Sequence, residues 1–305
     1  MTAPIRVVLV FVDGVGIGRA NPAINPFAAG VPVLRSLLGG RMVFRGDARR
    51  SGRGATCVPV NATLGVPGLP QSGTGQTTLL TGVNASKFIG KHFGPYPYST
   101  LRPVLEERNI FVHLQGRGRR VEYVNAFPQR YFDYIAARPS RRSAIASAWI
   151  ATGHPLHTSE CLAAGAALSA DITCERWNKG GFPPVTELTP SEAGRRLARI
   201  SCENDFTLFE YYETDHAGHS CSMEEARMVL AKLDEFLGGV VDAMDHASTL
   251  LVLASDHGNL EDLSTKSHTR NPVPLIAVGC GHGELARGVR SLAQVAPAIA
   301  RLLLG

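Results

Sequence analysis

Short apolar runs rich in β-branched residues recur along the chain and alternate with segments of helical periodicity. The apolar runs predict β-strands at residues 7–12, 121–124, 207–211, 249–254 and 275–278. The periodic segments predict helices at residues 104–108, 191–200, 223–244 and 289–304. Strands that are apolar throughout and alternate with helices are typical of parallel sheets covered on both faces. The pattern therefore predicts an α/β protein with a three-layer, doubly wound and mainly parallel sheet.

Two of the predicted helices have clear start signals. Thr189 is followed by Pro190 and then by Glu192, which is the pattern of a capping box with proline in the first turn. Ser222 precedes an acidic pair in the same way. Residues 90–189 are harder to interpret because glycine, proline and tyrosine interrupt them. We expect a single domain over residues 1–305, with residues 90–189 as a connecting excursion above the sheet edge.

The composition is that of a protein with a large core. The chain has 305 residues, of which 44% are apolar and 19% are charged. The first apolar run is too short to span a bilayer and no small-residue cleavage site follows it, so we expect a soluble, cytoplasmic protein. Six cysteines without a CxxC pair or regular spacing indicate reduced thiols with a structural role.

The chain carries a net charge of +5, and its basic residues are concentrated in the stretches 41–53 and 117–142. Two interpretations stay open: a solvated basic surface, or a mild positive field that attracts anionic substrates. No aromatic-rich basic stripe or recognised binding motif accompanies the arginines. We therefore expect no nucleic-acid partner and no membrane partner.

Acidic and imidazole side chains follow three of the predicted strands. Asp13 follows the first strand, Asp215 lies just beyond the strand at 207–211, and Asp256 with His257 follows the strand at 249–254. In open α/β sheets, functional residues gather at the carboxyl ends of the strands. Carboxylates and imidazoles are the ligands that a pair of divalent cations needs. The chain is therefore predicted to be an enzyme with a metal site.

Ser72 lies where a turn-rich segment leads into a helical run that ends near Gly82. A hydroxyl at a helix N-terminus lies in a positive dipole field, which suits phosphate binding and a developing alkoxide. Taken alone, Ser72 is equally compatible with an ordinary helix cap. The nearby glycines suggest a phosphate loop, but no Gly-Lys-Ser/Thr follows, which disfavours a Walker-type NTPase.

The order of these groups resembles the alkaline phosphatase superfamily, from residue 7 to about residue 280. Its elements here are Asp13-Gly14, Ser72 nine residues before Thr81, Asp215 four residues before His219, Asp256-His257-Gly258, and His268. The phrases at residues 13–18, 256–259 and 268–274 are most similar to the phosphomutase branch, which includes cofactor-independent phosphoglycerate mutase and phosphopentomutase. The resemblance implies an alkaline phosphatase-like fold.

The resemblance also implies a pair of metal ions and a serine nucleophile. One ion would be held by Asp13, Ser72, Asp256 and His257, and the other by Asp215, His219 and His268. Ser72 would attack phosphorus and form a phosphoserine. The mixture of carboxylates and imidazoles favours Mn²⁺ or Zn²⁺. Sulfatases of the superfamily are disfavoured because Ser72 is followed by Gly73-Thr74-Gly75 instead of the Pro-x-Arg context that they need.

The chain departs from the mutases in size, because it lacks a large cap domain. Only about 120 residues separate Gly82 from the strand before Asp215, and they must also complete the core. A mutase must shield its phosphoserine from water, which a short cap makes difficult. The predicted function is therefore a phosphoric ester hydrolase acting on a small phosphorylated substrate, most simply a phosphomonoester. A phosphomutase and an inactive phosphate-ester-binding protein are the alternatives.

Secondary candidates near the predicted site carry weaker signals. His216 lies between two predicted ligands and is expected to be a supporting or surface group. Four basic residues are candidate anchors for the substrate, although each also fits an ordinary surface charge: Lys87, Lys91, Arg130 and Arg176.

Overall fold

The computed structural model describes residues 5–52 and 54–305, and these residues contain one seven-stranded sheet. Arg53, in the basic stretch 41–53, lies outside the described residues. The strands are β1 (Arg6–Val12), β2 (Arg50–Gly52), β3 (Ala55–Val60), β4 (Val121–Tyr123), β5 (Phe206–Tyr211), β6 (Thr249–Ala254) and β7 (Val273–Gly279). Their order across the sheet is β2-β3-β7-β6-β1-β5-β4.

The sheet is mixed, but most of its strands share one direction. Strand β1 pairs in parallel with β5 and β6, and β4 pairs in parallel with β5. Strand β7 is antiparallel to both β6 and β3, and β2 is antiparallel to β3. Five of the seven strands therefore point the same way, and the predicted α/β class is confirmed.

Helices cover both faces of the sheet. The α-helices are α1 (Pro32–Leu37), α2 (Ser72–Thr81), α3 (Ala85–Ile89), α4 (Arg102–Arg108), α5 (Ile110–Gln115), α6 (Gln129–Ala137), α7 (Ala144–Ile150), α8 (Ser159–Ala163), α9 (Glu175–Lys179), α10 (Pro190–Ser201), α11 (Glu213–Ser220), α12 (Met223–Ala243), α13 (His282–Leu285) and α14 (Val295–Leu304). Short 3₁₀ helices occur at Pro26–Ala28, Ser99–Leu101, Pro139–Arg141 and Leu292–Gln294. None of the helices in the described residues is long and apolar enough to cross a bilayer.

The core forms two layers because successive side chains of a strand point to opposite faces. Val7, Leu9 and Phe11 of β1 join a cluster with residues of α2, α4, α5, α7 and α14. The intervening valines of β1 join a second cluster with residues of α1, α10 and α12. Both faces of β1 are fully buried, which explains why its sequence shows no polar alternation.

Helices α10 and α12 pack unusually closely on the second face. A Cβ added at Gly194 in α10 would lie 2.1 Å from the carbonyl oxygen of Phe236 in α12. The predicted capping box at the start of α10 is confirmed, because Thr189 accepts from the Glu192 backbone and the Glu192 side chain accepts from the Thr189 backbone. Ser222 likewise caps α12.

Two predictions of secondary structure need correction. The helix predicted at residues 289–304 begins only at Val295. Ser291 instead has extended backbone and caps a 3₁₀ turn, because the backbone N–H groups of Arg290 and Ser291 both donate to the Gln294 side chain. Strands β2 and β3 were not predicted at all. The five predicted strands are confirmed within two residues at each end.

Residues 90–189 contain one strand and several short helices. Strand β4 extends the sheet at its edge, and α4, α5 and α7 contribute buried side chains to the core. The aromatic segment at 127–134 overlaps the first two-thirds of α6, which has no fully buried residue. The division of the chain into one domain with a connecting excursion stays a prediction.

Candidate metal centre and catalytic serine

Three neighbouring strands bring the predicted ligands to one edge of the sheet. Strands β6, β1 and β5 are adjacent and parallel, so their carboxyl ends lie side by side. Asp13 directly follows β1, Asp256 follows β6 after one serine, and Asp215 lies in the first turn of α11 after β5. The topology therefore places three carboxyl groups close together, as the strand ends predicted.

Ser72 is the first residue of α2, which is buried along almost its whole length. The helix can enter the core because it contains small residues, and its four threonine hydroxyls donate to carbonyls of the preceding turn. Gly75 permits the closest approach to the site. A Cβ there would lie 2.9 Å from both the Cβ and the carbonyl oxygen of Asp256. The helix thus holds Ser72 directly beside the end of β6.

A first cluster surrounds the Ser72 hydroxyl. The Ser72 Oγ lies 3.0 Å from His257 Nε2. The same nitrogen lies 3.3 Å from Asp13 Oδ1 and 3.6 Å from Asp256 Oδ2. One ligand atom from each of Asp13, Asp256 and His257 lies within 4.8 Å of the others, and all three residues are buried. The hydroxyl, two carboxylates and an imidazole therefore converge on one point.

A second cluster lies against the first. Asp215 Oδ2 is 3.2 Å from His219 Nε2, and Asp215 Oδ1 is 3.7 Å from His268 Nε2. The two imidazole Nε2 atoms are 3.3 Å apart. The His268 ring also stacks on the His257 ring with 3.8 Å between centroids. The two groups are therefore adjacent parts of one site.

Backbone carbonyls orient two of the imidazoles. His219 Nδ1 lies 2.7 Å from the Lys266 carbonyl, and His268 Nδ1 lies 2.8 Å from the Pro70 carbonyl. A proton on each Nδ1 satisfies these carbonyls and leaves each Nε2 lone pair pointing towards the cluster. This is the arrangement that metal-binding histidines use to fix their tautomer.

Amide side chains hold two of the carboxylates in place. Asn259 Nδ2 donates to Asp215 Oδ1 at 2.7 Å, and Gln76 Nε2 approaches Asp13 Oδ2 at 3.4 Å. Gln76 lies one helical turn after Ser72, so the same helix face carries the hydroxyl and this support. Neutral amides fix a carboxylate without cancelling its charge, which leaves it able to bind a cation.

The electrostatics of the first cluster are strongly perturbed. Burial and the nearby charge of Asp13 raise the pKa of Asp256 well above its usual range. Burial lowers the pKa of His257, but the negative charges of Asp256, Asp13 and Asp215 together outweigh burial and raise the pKa to about 10. The cluster therefore has an excess of negative charge that protons compensate. Among the described residues, the ion-pair partners of these carboxylates are histidines alone.

Unpartnered oxygens show that the cluster fits a cation. Asp13 Oδ1 and Asp256 Oδ2 are buried, yet neither accepts a hydrogen bond from the described residues. A buried carboxylate oxygen without a donor is costly unless another positive group satisfies it. Carboxylate oxygens and imidazole nitrogens at this separation match the ligand preferences of first-row divalent metals.

Glu261 joins three loops behind the second cluster. Its Oε2 accepts from the backbone N–H of Gly16 at 2.9 Å and from that of Asn259 at 2.8 Å. Its Oε1 accepts from Asn271 Nδ2 at 3.0 Å and from the Thr269 hydroxyl. The side chain is almost completely buried. Glu261 thus fixes the loop after β1 against the loops that carry Asn259 and His268.

All seven predicted site residues lie in this centre, in the two groups that the resemblance implied. Their roles as metal ligands and nucleophile stay predictions. His216 is exposed and faces the Tyr212 ring, 5.4 Å between centroids. The Arg176 guanidinium donates to Glu213 at 2.6 Å, so its charge already has a partner. Lys91 lies over the Tyr98 ring.

The remaining candidate anchors are also on the surface. The Arg130 guanidinium lies 4.4 Å from the Phe182 ring centroid, and Lys87 is exposed on α3. The described contacts thus give neither residue a place beside Ser72, and both stay predictions.

Four polar residues around the centre were missed by sequence reasoning: Gln76, Glu210, Asn259 and Glu261. Glu210 lies near the end of β5, where it accepts from the Tyr123 hydroxyl, and burial raises its pKa to about 7. The sequence could have indicated two of them. Gln76 follows Ser72 at helical spacing, and Asn259 directly follows the Asp256-His257-Gly258 motif. Glu210 and Glu261 acquire their partners only through distant chain segments.

Comparisons with known proteins agree with this geometry. Residues 191–304 match the model of the Metalloenzyme superfamily. The 2,3-bisphosphoglycerate-independent phosphoglycerate mutase of Acetivibrio thermocellus is 36% identical over 108 residues, which are 33% of this chain and 21% of that protein. The chain thus matches about a fifth of the length of such curated relatives.

Two solved structures share the fold over nearly the whole chain. A Pyrococcus horikoshii protein superposes with a TM-score of 0.60 at 14% identity, covering 99% of this chain and 98% of that one. A cold-active alkaline phosphatase from Shewanella sp. superposes with a TM-score of 0.55 at 13% identity, covering 97% of this chain and 100% of that one. The predicted resemblance is therefore confirmed: the chain matches the Metalloenzyme superfamily model over residues 191–304 and has an alkaline phosphatase-like fold.

Proposed function

We propose that this protein is a metal-dependent phosphoric ester hydrolase in which Ser72 is the nucleophile. The observation that carries the proposal is the position of the Ser72 hydroxyl. It lies at the N-terminus of the buried helix α2 and 3.0 Å from His257 Nε2, within the cluster of Asp13 and Asp256. Phosphoryl transfer needs a positioned nucleophile and compensation of phosphate charge, and this arrangement supplies both.

Two divalent cations would be held by the two clusters. Asp13, Asp256 and His257 with Ser72 form the first set, and Asp215, His219 and His268 form the second. When bound, such cations supply Lewis-acid chemistry that lowers the pKa of an attached hydroxyl or water and neutralises phosphoryl charge. The mixed oxygen and nitrogen donors favour Mn²⁺ or Zn²⁺ over Mg²⁺.

The residues of the chain then have defined tasks. Ser72 Oγ forms a bond to phosphorus while the bond from phosphorus to the ester oxygen breaks, and the alcohol leaves with a proton. The positive end of the α2 dipole stabilises negative charge that develops at this position. Water then attacks the phosphoserine and releases inorganic phosphate, which restores the hydroxyl. Gln76 and Asn259 keep the carboxylates oriented throughout.

Hydrolysis is preferred over phosphoryl migration because of the segment between α2 and β5. Its helices α4, α5 and α7 bury Leu105, Phe111 and Trp149 in the core beneath the sheet. We propose that these residues complete a single domain and leave little chain to close over a phosphoserine. A mutase needs such closure to keep water from its intermediate.

A phosphomutase is the second candidate, and the curated relatives favour it. The matched relatives are phosphoglycerate mutases, although the match covers only 33% of this chain in the case of the Acetivibrio protein. Incubation with 3-phosphoglycerate separates the two reactions. A hydrolase releases inorganic phosphate, whereas a mutase converts the substrate to 2-phosphoglycerate with phosphate retained.

The proposal is tested with p-nitrophenyl phosphate and purified protein loaded with Mn²⁺ or Zn²⁺. We expect metal-dependent release of p-nitrophenol that a chelator abolishes. Ser72→Ala should lose this activity and keep most of its bound metal, because Ser72 is one proposed ligand among seven. Ser36→Ala, which changes an exposed serine on helix α1, is the matched control and should keep full activity. A catalytically silent phosphate-binding protein would show no turnover in any variant, and that outcome would refute the hydrolase.

A further inference from the structure

A cleft of about 470 Å³ lies at the C-terminal end of α2, the end of the helix opposite Ser72. It opens between the end of α2, the helices α4 and α5, and the C-terminal helix α14. Leu80 and Thr81 line it, and they are the last two residues of the helix that begins with Ser72. At about 1.5 Å of rise per residue, they lie on the order of 12 Å along the helix from the nucleophile. The cleft is therefore separate from the proposed active site.

The floor of the cleft is apolar. Leu80 of α2 and Ile110 of α5 form one side, and Ala296, Ala300 and Leu304 of α14 form the other. Its volume falls within the range of about 300–1,000 Å³ that small-molecule sites occupy. An apolar floor of this kind suits the hydrocarbon or aromatic part of a ligand.

The rim of the cleft is basic. Arg108, Arg117 and Arg301 line it, and Glu107 is the single acidic lining residue. Among the described residues, no carboxylate lies within ion-pair distance of these three arginines. Three guanidinium groups without a carboxylate partner around one apolar cleft produce a positive potential that a bound anion would neutralise.

His113 adds a directed hydrogen-bond donor to the rim. Arg117 donates through one guanidinium nitrogen to His113 Nδ1 at 3.1 Å and to the His113 carbonyl at 3.2 Å. Because Nδ1 accepts this bond, the proton of the neutral ring lies on Nε2. Burial and the charge of Arg117 lower the pKa of His113, which favours that neutral ring. The ring therefore offers an N–H group to a ligand oxygen.

We propose that this cleft is a binding site for a small amphiphilic anion. The apolar body of the ligand would lie on Leu80, Ile110 and the small residues of α14. Its carboxylate, phosphate or sulfonate group would face Arg108, Arg117 and Arg301. The site is independent of the proposed phosphatase activity, since it shares no residue with the metal centre.

The probe is 8-anilinonaphthalene-1-sulfonate, which combines an aromatic body with one anionic group. Fluorescence titration of the full chain should show saturable binding at one site. Arg301→Glu should weaken that binding about tenfold, because charge reversal removes one attractive contact and adds a repulsive one. Arg195→Glu, on the exposed face of α10, is the matched control and should leave the affinity unchanged. The uncharged analogue N-phenyl-1-naphthylamine should bind more weakly than the sulfonate.

Two further measurements separate the cleft from non-specific dye binding. Decanoate should displace the sulfonate competitively, and Arg108→Glu should weaken binding to an extent similar to Arg301→Glu. Circular dichroism establishes that the variants are folded. The proposal is overturned if binding does not saturate, or if Arg195→Glu and Arg301→Glu change it equally. Phosphatase activity plays no part in these outcomes, so failure of one proposal does not affect the other.

Discussion

Replacing Glu261 tests whether the loops around the second cluster depend on one buried carboxylate. In Glu261→Ala, the buried backbone N–H groups of Gly16 and Asn259 lose the acceptor that they share. Each unsatisfied buried donor costs about 1–3 kcal/mol, so we expect the free energy of unfolding to fall by about 2–6 kcal/mol. The side-chain donors of Thr269 and Asn271 add less because both can reorient.

Glu261→Gln separates the role of shape from the role of charge. Its amide oxygen can still accept from both backbone N–H groups, while its amide nitrogen takes the place of Oε1. The Thr269 hydroxyl can then accept, and the Asn271 amide can turn to present its oxygen. We expect a loss of about 1–2 kcal/mol, which is the difference between charged and neutral hydrogen bonds.

The assay for both variants is urea denaturation in the presence of a chelator, together with metal content by elemental analysis. Asn259 supports Asp215, and Thr269 adjoins His268, so metal occupancy should fall by about half in Glu261→Ala as the second cluster fails. Glu235→Ala, an exposed glutamate on α12, is the control and should change neither quantity. A Glu261→Ala protein that loses less than about 1 kcal/mol and keeps its metal would refute the reasoning.

Three further predictions follow from close contacts and one ion pair. Gly75→Ala places a methyl group 2.9 Å from Asp256 and should reduce metal content and phosphatase activity together. Gly194→Ala forces α10 away from the α12 backbone and should cost about 1–3 kcal/mol in urea denaturation. The hydrogen bond that His157 donates to the Glu122 carboxylate outweighs burial and raises the pKa of His157 above 6.5. The resulting stabilisation is complete below pH 6.5 and is lost as the pH rises through the raised pKa, so the stability difference between wild type and Glu122→Gln should shrink there.

The same chain provides matched controls for these predictions. Gly238→Ala adds a methyl group on helix α12 whose nearest neighbour is a Val33 methyl at 3.3 Å, in place of a backbone oxygen at 2.1 Å, so it should cost far less than Gly194→Ala. Equal losses at the two glycines would contradict the packing argument. Unchanged metal content in Gly75→Ala would show that Asp256 moves without harm. A stability difference for Glu122→Gln that is constant from pH 5 to 9 would contradict the ion pair.

The apolar strands were predictable because burial on both faces leaves an uninterrupted apolar run. Strand β3 gave no such signal, since Pro59 interrupts it. Pro59 lies opposite Pro274 in the pairing with β7, at a position beyond the end of the β2 pairing. Pro59 lies beyond the end of the β2–β3 pairing, and Pro274 lies beyond the end of the β6–β7 pairing. Each proline therefore has a neighbouring strand on one side only, where the missing N–H can be tolerated. This information lies in the sheet and not in either segment alone.

The candidate ligand residues of the site could be predicted from the sequence more readily than the residues that hold them in place. Asp13 and Asp256 follow apolar strands, so parallel pairing brings them together as expected. The stacking of His268 on His257 depends on the path of the loop that follows Glu261, which no local pattern specifies. Glu261 accepts hydrogen bonds from three separate loops, so its role can be identified only from the three-dimensional structure.

Gly14 and Asp256 lie 242 residues apart in the chain, yet their atoms approach within 3.5 Å at the carboxyl edge. The chain must therefore be synthesised beyond residue 257 before the first cluster can assemble, and beyond residue 268 before the second cluster can. Under the proposed function, a cation can bind both clusters only after residue 268 has been made, because earlier portions of the nascent chain offer it isolated side chains with little affinity. Bound metal would then stabilise only the fold in which these distant segments have met, and its removal should make the protein easier to unfold.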